Sequence, residues 1–509
     1  MENFTYPRVT LSTTARARSS VGPAVEDTTI LFAPIIAERG PVDEVVVCHT
    51  LSEFIDVFGD LDYKSNKLQA FNVYNWLSNG GTVYAKRLVF PGADVSTLTK
   101  SENGVTKVTW AAKYPGEWYN DIQIVITARN ITGGNYFDIV VKHVTTSKTT
   151  VLETFYRVSD SKFKSIIDKS RYITVGEGVT SLSAGTIQLS TGAGSDGESD
   201  TLKSLDDLIY SYFSTRAGAE EQLVGSAEKD LGNKLEMPID IILDAGFSER
   251  TKEAILKFVT GLSRTSSDVV GPNLESDECI RPDIIAIFDE MVISSDSEIS
   301  ETNLFSNVKA TNIAVYSQYF TIFDAIFSDK NVKVGPSYFL SRLIPYNDLQ
   351  YGIQFPTAGL RRGVLADALD VNLNPRPQEK EDLFKRRVNY VEKTSREYAF
   401  MSQRTHDGST EVSYTALSFL NNSRCLEKMK KELERLGRDY LFEFNDAVTL
   451  GRLSNILNKY MGNWVSNRTL SFANVDVQPD EYSSEKVNIL LSIRFTGTIE
   501  VISVDIVIE

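Results

Sequence analysis

The stretch with the best claim to chemistry is "GAGSDG", where Gly192, Gly194 and Gly197 meet the GxGxxG spacing after a strand-like run and before a helix-like one. Such glycines let backbone N–H groups close around a phosphate at a helix N-terminus. A dinucleotide site also needs an acidic residue at the tip of the next strand, roughly 20 residues on, to hold a ribose hydroxyl. Glu220 and Glu221 stand at that distance, but inside "RAGAEEQLVG", which has no strand character. The plainer reading is a flexible connector, with Asp200 or Ser199 capping the helix that follows. The overlapping "SDGESD" offers carboxylates to calcium without the spacing of an EF-hand loop.

Asp244 and Asp289 fall near the C-terminal ends of expected parallel strands, where α/β domains carry their sites. Turn and cap aspartates are routine at the same places. No lysine-bearing phosphate loop, GxSxG elbow or HExxH motif accompanies them. The three histidines are His49, His143 and His406, so residues 196–370 hold none and cannot build a Ser–His–Asp triad of their own. Cys48, Cys279 and Cys425 lie far apart, form no CxxC pair, and read as small buried hydrophobes in a reducing compartment. The expectation is a protein that is not an enzyme, with no cofactor and no metal.

The whole chain agrees. Its 509 residues imply about three or four domains. With 42% hydrophobic and 24% charged residues it is an ordinary folded composition. Asp and Glu total 68 against 53 Lys and Arg, a net charge of −15, which argues against direct nucleic-acid binding. No apolar run is long enough for a membrane span, and "MENFTYPRVT" lacks the pattern of a signal peptide.

Residues 1–25 read as an extended arm. A strand in "TTILFAPII" leads to the helix "TLSEFIDVFGD", with Thr50 and Glu53 at capping-box spacing, and then to "KLQAFNVYNWLSNGG", which feeds the strand "TVYAKRLV". From 94 to 195 the period becomes two, in "GVTKVTW", "NDIQIVIT", "YFDIVVKHV", "TVLETFYRV" and "GTIQLS": an antiparallel β-sandwich. Residues 196–370 alternate helices with the nearly continuous apolar strands "PIDIILDAG", "DIIAIFDE" and "NIAVYSQYF", giving an α/β domain with a largely parallel sheet. A connector around Pro375 and Pro377 follows. Two helices come next, the first with Leu426, Met429, Leu433 and Leu436 inward, the second with Leu450, Leu453, Ile456, Leu457 and Tyr460 inward. The strand "EKVNILLSIRFTG" precedes the last octet, "ISVDIVIE". There Ile502, Val504, Ile506 and Ile508 alternate with Ser503, Asp505, Val507 and Glu509, out of phase with Ile499 and Val501. Apolar alternation at a chain end calls for a pairing partner.

In order, "RGPVDEVVVCHTLSEFIDVFGD", "NVYNWLSNGGTVYAKRLV", "AAKYPGEWYNDIQIVI", "FPTAGLRRGVL" and "FEFND" resemble landmarks of the sheath proteins of contractile injection systems, above all phage tail sheaths. The last departs slightly, lacking the proline often found beside its asparagine. The resemblance spans nearly the whole chain and implies an α+β multidomain protein: a discontinuous inner α/β domain with exchanged terminal strands, a β-sandwich, and a subtilisin-like α/β domain without protease function. The divisions would be an arm at 1–25, inner-domain parts at 26–93 and 371–501, the sandwich at 94–195, the subtilisin-like domain at 196–370, and a strand-exchange arm at 502–509.

The resemblance further implies a structural subunit of the virion tail, assembled in the host cytoplasm into six-fold rings that stack as a helical sheath. Its partners would be other copies of itself, the tail tube protein, and the baseplate and tail terminator proteins, with no membrane insertion. Val9, Leu11, Ile502, Val504, Ile506 and Ile508 would carry the strand exchange. Arg452 and Lys459, seven apart on the late helix, would meet an acidic tube. Two alternatives stay open: another virion protein such as a baseplate component, and a nucleotide-using α/β enzyme built on "GAGSDG".

Overall fold

A computed structural model describes residues 29–498 apart from 103–104, 132–133, 160–161, 177–181, 190–193, 217–224, 265–271, 275, 291–293, 296–297, 300–304, 306, 395–396 and 408–414. The strand-exchange candidates Val9, Leu11, Ile502, Val504, Ile506 and Ile508 lie outside the described residues, as do both arms.

The largest sheet has seven strands. Five run in the order Ile313–Ser317, Ile285–Glu290, Ile241–Leu243, Ile30–Ile35 and Thr82–Arg87, flanked by Val388–Asn389 on one edge and Val46–Cys48 on the other. Every pairing is parallel except that of Val46–Cys48 with Thr82–Arg87. The apolar strands are buried on both faces because helices cover both. Phe32, Ile242, Phe288 and Val315 pack under the helices Leu205–Ser214 and Glu249–Thr260. Leu31, Val83, Ile287 and Tyr316 pack under Leu51–Phe58, Leu68–Ser78 and Pro336–Gln350 on the other side.

Strands from 26–93, 196–370 and 371–501 all hydrogen-bond into this sheet, with Leu31 paired to Ile241 and Val388 to Val315. The physical reason lies in "ILFAPI": a strand buried almost throughout needs a neighbour on each edge and a helix on each face. Two smaller expectations change. Ser204, not Asp200 or Ser199, caps the helix Leu205–Ser214, in a reciprocal capping box with Asp207. Pro377 does not extend a connector but opens the helix Pro377–Lys385 at its first turn, where its missing N–H costs nothing.

Between 94 and 195, an antiparallel three-stranded sheet (Thr97–Glu102, Val105–Ala112, Ile173–Val175) and a four-stranded one (Ile122–Ile131, Gly134–Val144, Thr149–Ser159, Gly185–Gln188) share one apolar core. Trp110, Ile124, Ile139 and Ile187 meet there, from alternate positions of their strands. Arg87 ties this unit to the large sheet. Its guanidinium donates to the carbonyls of Ala37, Gly40 and Pro115, each at 2.9 Å, and pairs with Asp196 at 3.2 Å.

The last described unit packs the helices Leu420–Arg438 and Ala447–Ser466 and the antiparallel ribbon Leu470–Pro479/Val487–Phe495 around Met429, Leu457, Met461 and Trp464. A buried pair joins it to the sheet unit: Arg424 and Thr29 both donate to the Asp348 carboxylate at 2.5 Å.

Candidate assembly site

The aspartates at the sheet's C-terminal edge do come together, but as structure. Asp244 is buried and spends both oxygens: one accepts the N–H groups of Gly246 and Phe247, the other the N–H of Asp289 and the Lys252 ammonium at 2.7 Å. Asp289 accepts the N–H and hydroxyl of Ser337, at the start of the helix Pro336–Gln350. Burial, then the Asp244 carboxylate, push the Asp289 carboxyl well above its ordinary value. Burial works to lower the Lys252 pKa, but the charge and hydrogen bond of Asp244, with the Asp289 and Glu290 carboxyls, together outweigh it and the pKa is raised. Lys252 and Ser337 carried no signal in the sequence, since neither stands in a motif. The cluster knits two strand ends to two helices.

The glycine loop is accounted for in the same way. Gly192, Glu220 and Glu221 lie outside the described residues. Gly194 offers no N–H to a phosphate, because the Asn120 side chain accepts it at 2.7 Å. A Cβ on Gly194 would stand 2.6 Å from the carbonyl oxygen of Gly116, so the glycine is there for close approach. Gly197 sits at φ +80°, a left-handed conformation that suits glycine. Burial disfavours the thiolates: Cys48 and Cys425 are buried and pushed up to about 12, and half-buried Cys279 is pushed up to about 11.

What remains exposed and unfinished is the ribbon. Among the described residues, Leu470–Pro479 and Val487–Phe495 pair only with each other, over a ladder from Leu470–Phe495 to Pro479–Val487. Among those residues, both outer edges are therefore left with unpaired backbone donors and acceptors. A two-stranded ribbon is marginal alone, and this one leans on the helix Ala447–Ser466. Val475, Leu491 and Ile493 face that helix, while Phe472 and Leu490 point outward, 48% and 64% exposed. An added strand with apolar alternation would extend the helix-facing side.

On the helix itself, Leu453, Leu457, Met461 and Trp464 are buried and Leu450 and Tyr460 are partly covered. Ile456, expected inward, is exposed, because the core stripe runs through positions 453, 457, 461 and 464 instead. Arg452 and Lys459 are both exposed on the free side, and neither makes a salt bridge among the described residues.

No protein-family model and no curated protein matches the chain. Among solved structures it is similar to the sheath tail protein of Listeria innocua, at 14% identity and a TM-score of 0.61 over 94% of each chain. The sheath tail protein of Desulfitobacterium hafniense aligns at 12% identity and TM-score 0.51, over 97% of this chain and 100% of that one. The contracted helical sheath of the anti-feeding prophage aligns at 12% identity and TM-score 0.50, over 99% of each. In mixed α/β architecture, in its several sheets and over nearly its full length, the chain has the fold of the sheath proteins of contractile tails.

Proposed function

We propose that the chain is a structural sheath subunit, which polymerises around a tail tube and contracts to drive that tube through a cell envelope for genome delivery. The single observation that supports this best is the open ribbon Leu470–Pro479/Val487–Phe495. Among the described residues its outer edges lack partners, and the apolar alternation of Ile502–Glu509 suits an added strand. Strand addition joins subunits through backbone ladders that persist while the rigid units rotate about short connections. Head-to-tail contacts build a helix of indefinite length where the rotation between subunits does not close on itself. The work of contraction then comes from the energy difference between two assembled states rather than from a bound nucleotide.

The finer parts of the reading are the six-fold stacked rings, the domain division with a subtilisin-like unit, and the tube, baseplate and terminator partners. Arg452 and Lys459 form the proposed basic face toward the tube. Negative-stain imaging of the purified protein tests the reading: long striated tubes are expected, whereas discrete complexes would point to a baseplate component and single particles to neither.

A further inference from the structure

Two apolar surfaces stand apart from the ribbon. The first is the tip after the helix Leu420–Arg438, where Phe442 and Phe444 are 91% and 82% exposed. Phe442 adopts φ +70°, a conformation unusual for a bulky residue. Asn445 donates to the carbonyl of Ser484 at 2.8 Å, tying this loop to the ribbon turn that carries Tyr482, itself 87% exposed. Three such rings expose roughly 400–600 Å² of apolar surface, at the upper end for a protein standing alone. Glu443 lies between the two phenylalanines, and Asp446 and Glu481 flank the group, so the rim is acidic.

The second surface lies where the helix Pro336–Gln350 ends. Leu349, Tyr351 and Leu360 are 58%, 44% and 60% exposed, and Asn347 donates to the carbonyl of Arg362, holding the Leu360 turn beside the helix end. This rim is basic: Arg361 is exposed, and Arg362 stacks on Tyr351 and Phe355. The surface sits at the opposite end of the helix Leu420–Arg438 from the first, because Asn421 bonds the carbonyl of Gln354 and Arg424 pairs with Asp348 there. Nineteen residues of helix separate the two by about 28 Å.

We propose that the aromatic, acidic tip of one copy docks on the arginine-rimmed apolar surface of a second copy. The two surfaces are complementary in charge and alike in apolar character, and the intervening helix keeps them from meeting within one chain. The contact is heterologous, so it propagates rather than closing into a dimer. This inference rests on the sheath reading and adds to it a side-chain contact separate from strand exchange.

The test uses full-length chains carrying Cys279→Ser, which leaves only the buried Cys48 and Cys425. One chain carries Phe444→Cys, the other Leu360→Cys. Oxidised under polymerising conditions, the mixture should give a cross-linked dimer that neither chain gives alone. In parallel, Glu443→Arg or Arg361→Glu should each raise the critical concentration for polymer about three- to tenfold, and the pair together should recover most of the loss. Normal polymers from Phe442→Ser/Phe444→Ser, with no cross-link in the mixture, would overturn the proposal and leave the sheath reading standing. A wild-type chain that never polymerises would overturn both. A cross-link from Phe444→Cys to isolated tube protein would make the tube the occupant. Protection of Leu360→Cys from a maleimide in the monomer, lost on deleting residues 1–28, would make the chain's own leading segment the occupant. Either of these last results overturns the proposal.

Discussion

Asn120 grips Gly194 from both sides: its Nδ2 donates to the glycine carbonyl at 2.9 Å, and its Oδ1 accepts the glycine N–H at 2.7 Å. A loop that matches a nucleotide fingerprint is thereby turned into a seam between the sandwich and the segment leading to the α/β sheet. Gly194→Ala should destabilise the protein by about 1–3 kcal/mol, because the added carbon meets backbone at 2.6 Å rather than a side chain that can yield. Asn120→Ala should cost a similar amount by stranding two backbone groups. Calorimetry with ATP or NAD should give no heat of binding to the wild type. Micromolar affinity would reopen the enzyme alternative.

Arg87 is buried, and desolvation pulls its pKa below the ordinary arginine value while three carbonyls and Asp196 hold it in place. Lysine presents one point charge where the fork presents several fixed donors. Arg87→Lys should therefore lower unfolding stability by about 2–4 kcal/mol in denaturant titration. A loss below about 0.5 kcal/mol would mean that the seam does not depend on the fork.

His406 is fully buried, and its Nδ1 lies 2.6 Å from the Val308 carbonyl, which can only accept, so Nδ1 carries the proton. Burial pushes its pKa below the ordinary 6.5; Asp407 works to raise it and Arg387 to lower it further. The unfolded chain thus binds a proton near pH 6.5 that the folded chain refuses. The stability this group contributes is present above about pH 6.5 and is lost as pH falls toward the lower folded value. The slope is at most about 1.4 kcal/mol per pH unit. His406→Gln should flatten the pH dependence of stability below about 6.5, as read by urea unfolding at each pH. An unchanged slope would place the acid sensitivity elsewhere.

Arg452 and Lys459 share the free face of the helix Ala447–Ser466 with exposed Ile456 and Val448. Reversing both charges should leave the melting temperature unchanged, since neither is in a salt bridge among the described residues, and should impair assembly on tail tubes. Co-sedimentation with tubes at two salt concentrations checks this. Undiminished co-sedimentation would remove the pair from the interface.

Local pattern made much of this architecture legible before any coordinates. Period-two runs such as "NDIQIVIT" became strands of the sandwich, and Thr50 caps its helix by accepting the Glu53 N–H. Pairing between distant segments was not legible. Nothing in "ILFAPI" names "IIL" as its neighbour. Ile456 misled because a helix stripe four residues wide is ambiguous at its margin, and only the packed partner decides the edge. The landmark "FEFND" announces neither the left-handed backbone of Phe442 nor the exposure of Phe442 and Phe444.

The central claim, that subunits are joined by strands added to an open ribbon, is tested most directly by deleting Ile502–Glu509. About six ladder hydrogen bonds at roughly 0.5–1.5 kcal/mol net each, with a similar contribution from three or four aliphatic side chains, would hold each junction. Removing them at every subunit should abolish tubes rather than shorten them. Differential scanning calorimetry and negative-stain imaging of the truncated chain give the answer together. The account predicts a wild-type melting temperature and no tubes; full-length tubes, or a marked fall in melting temperature from an octet that pairs within its own unit, would contradict it.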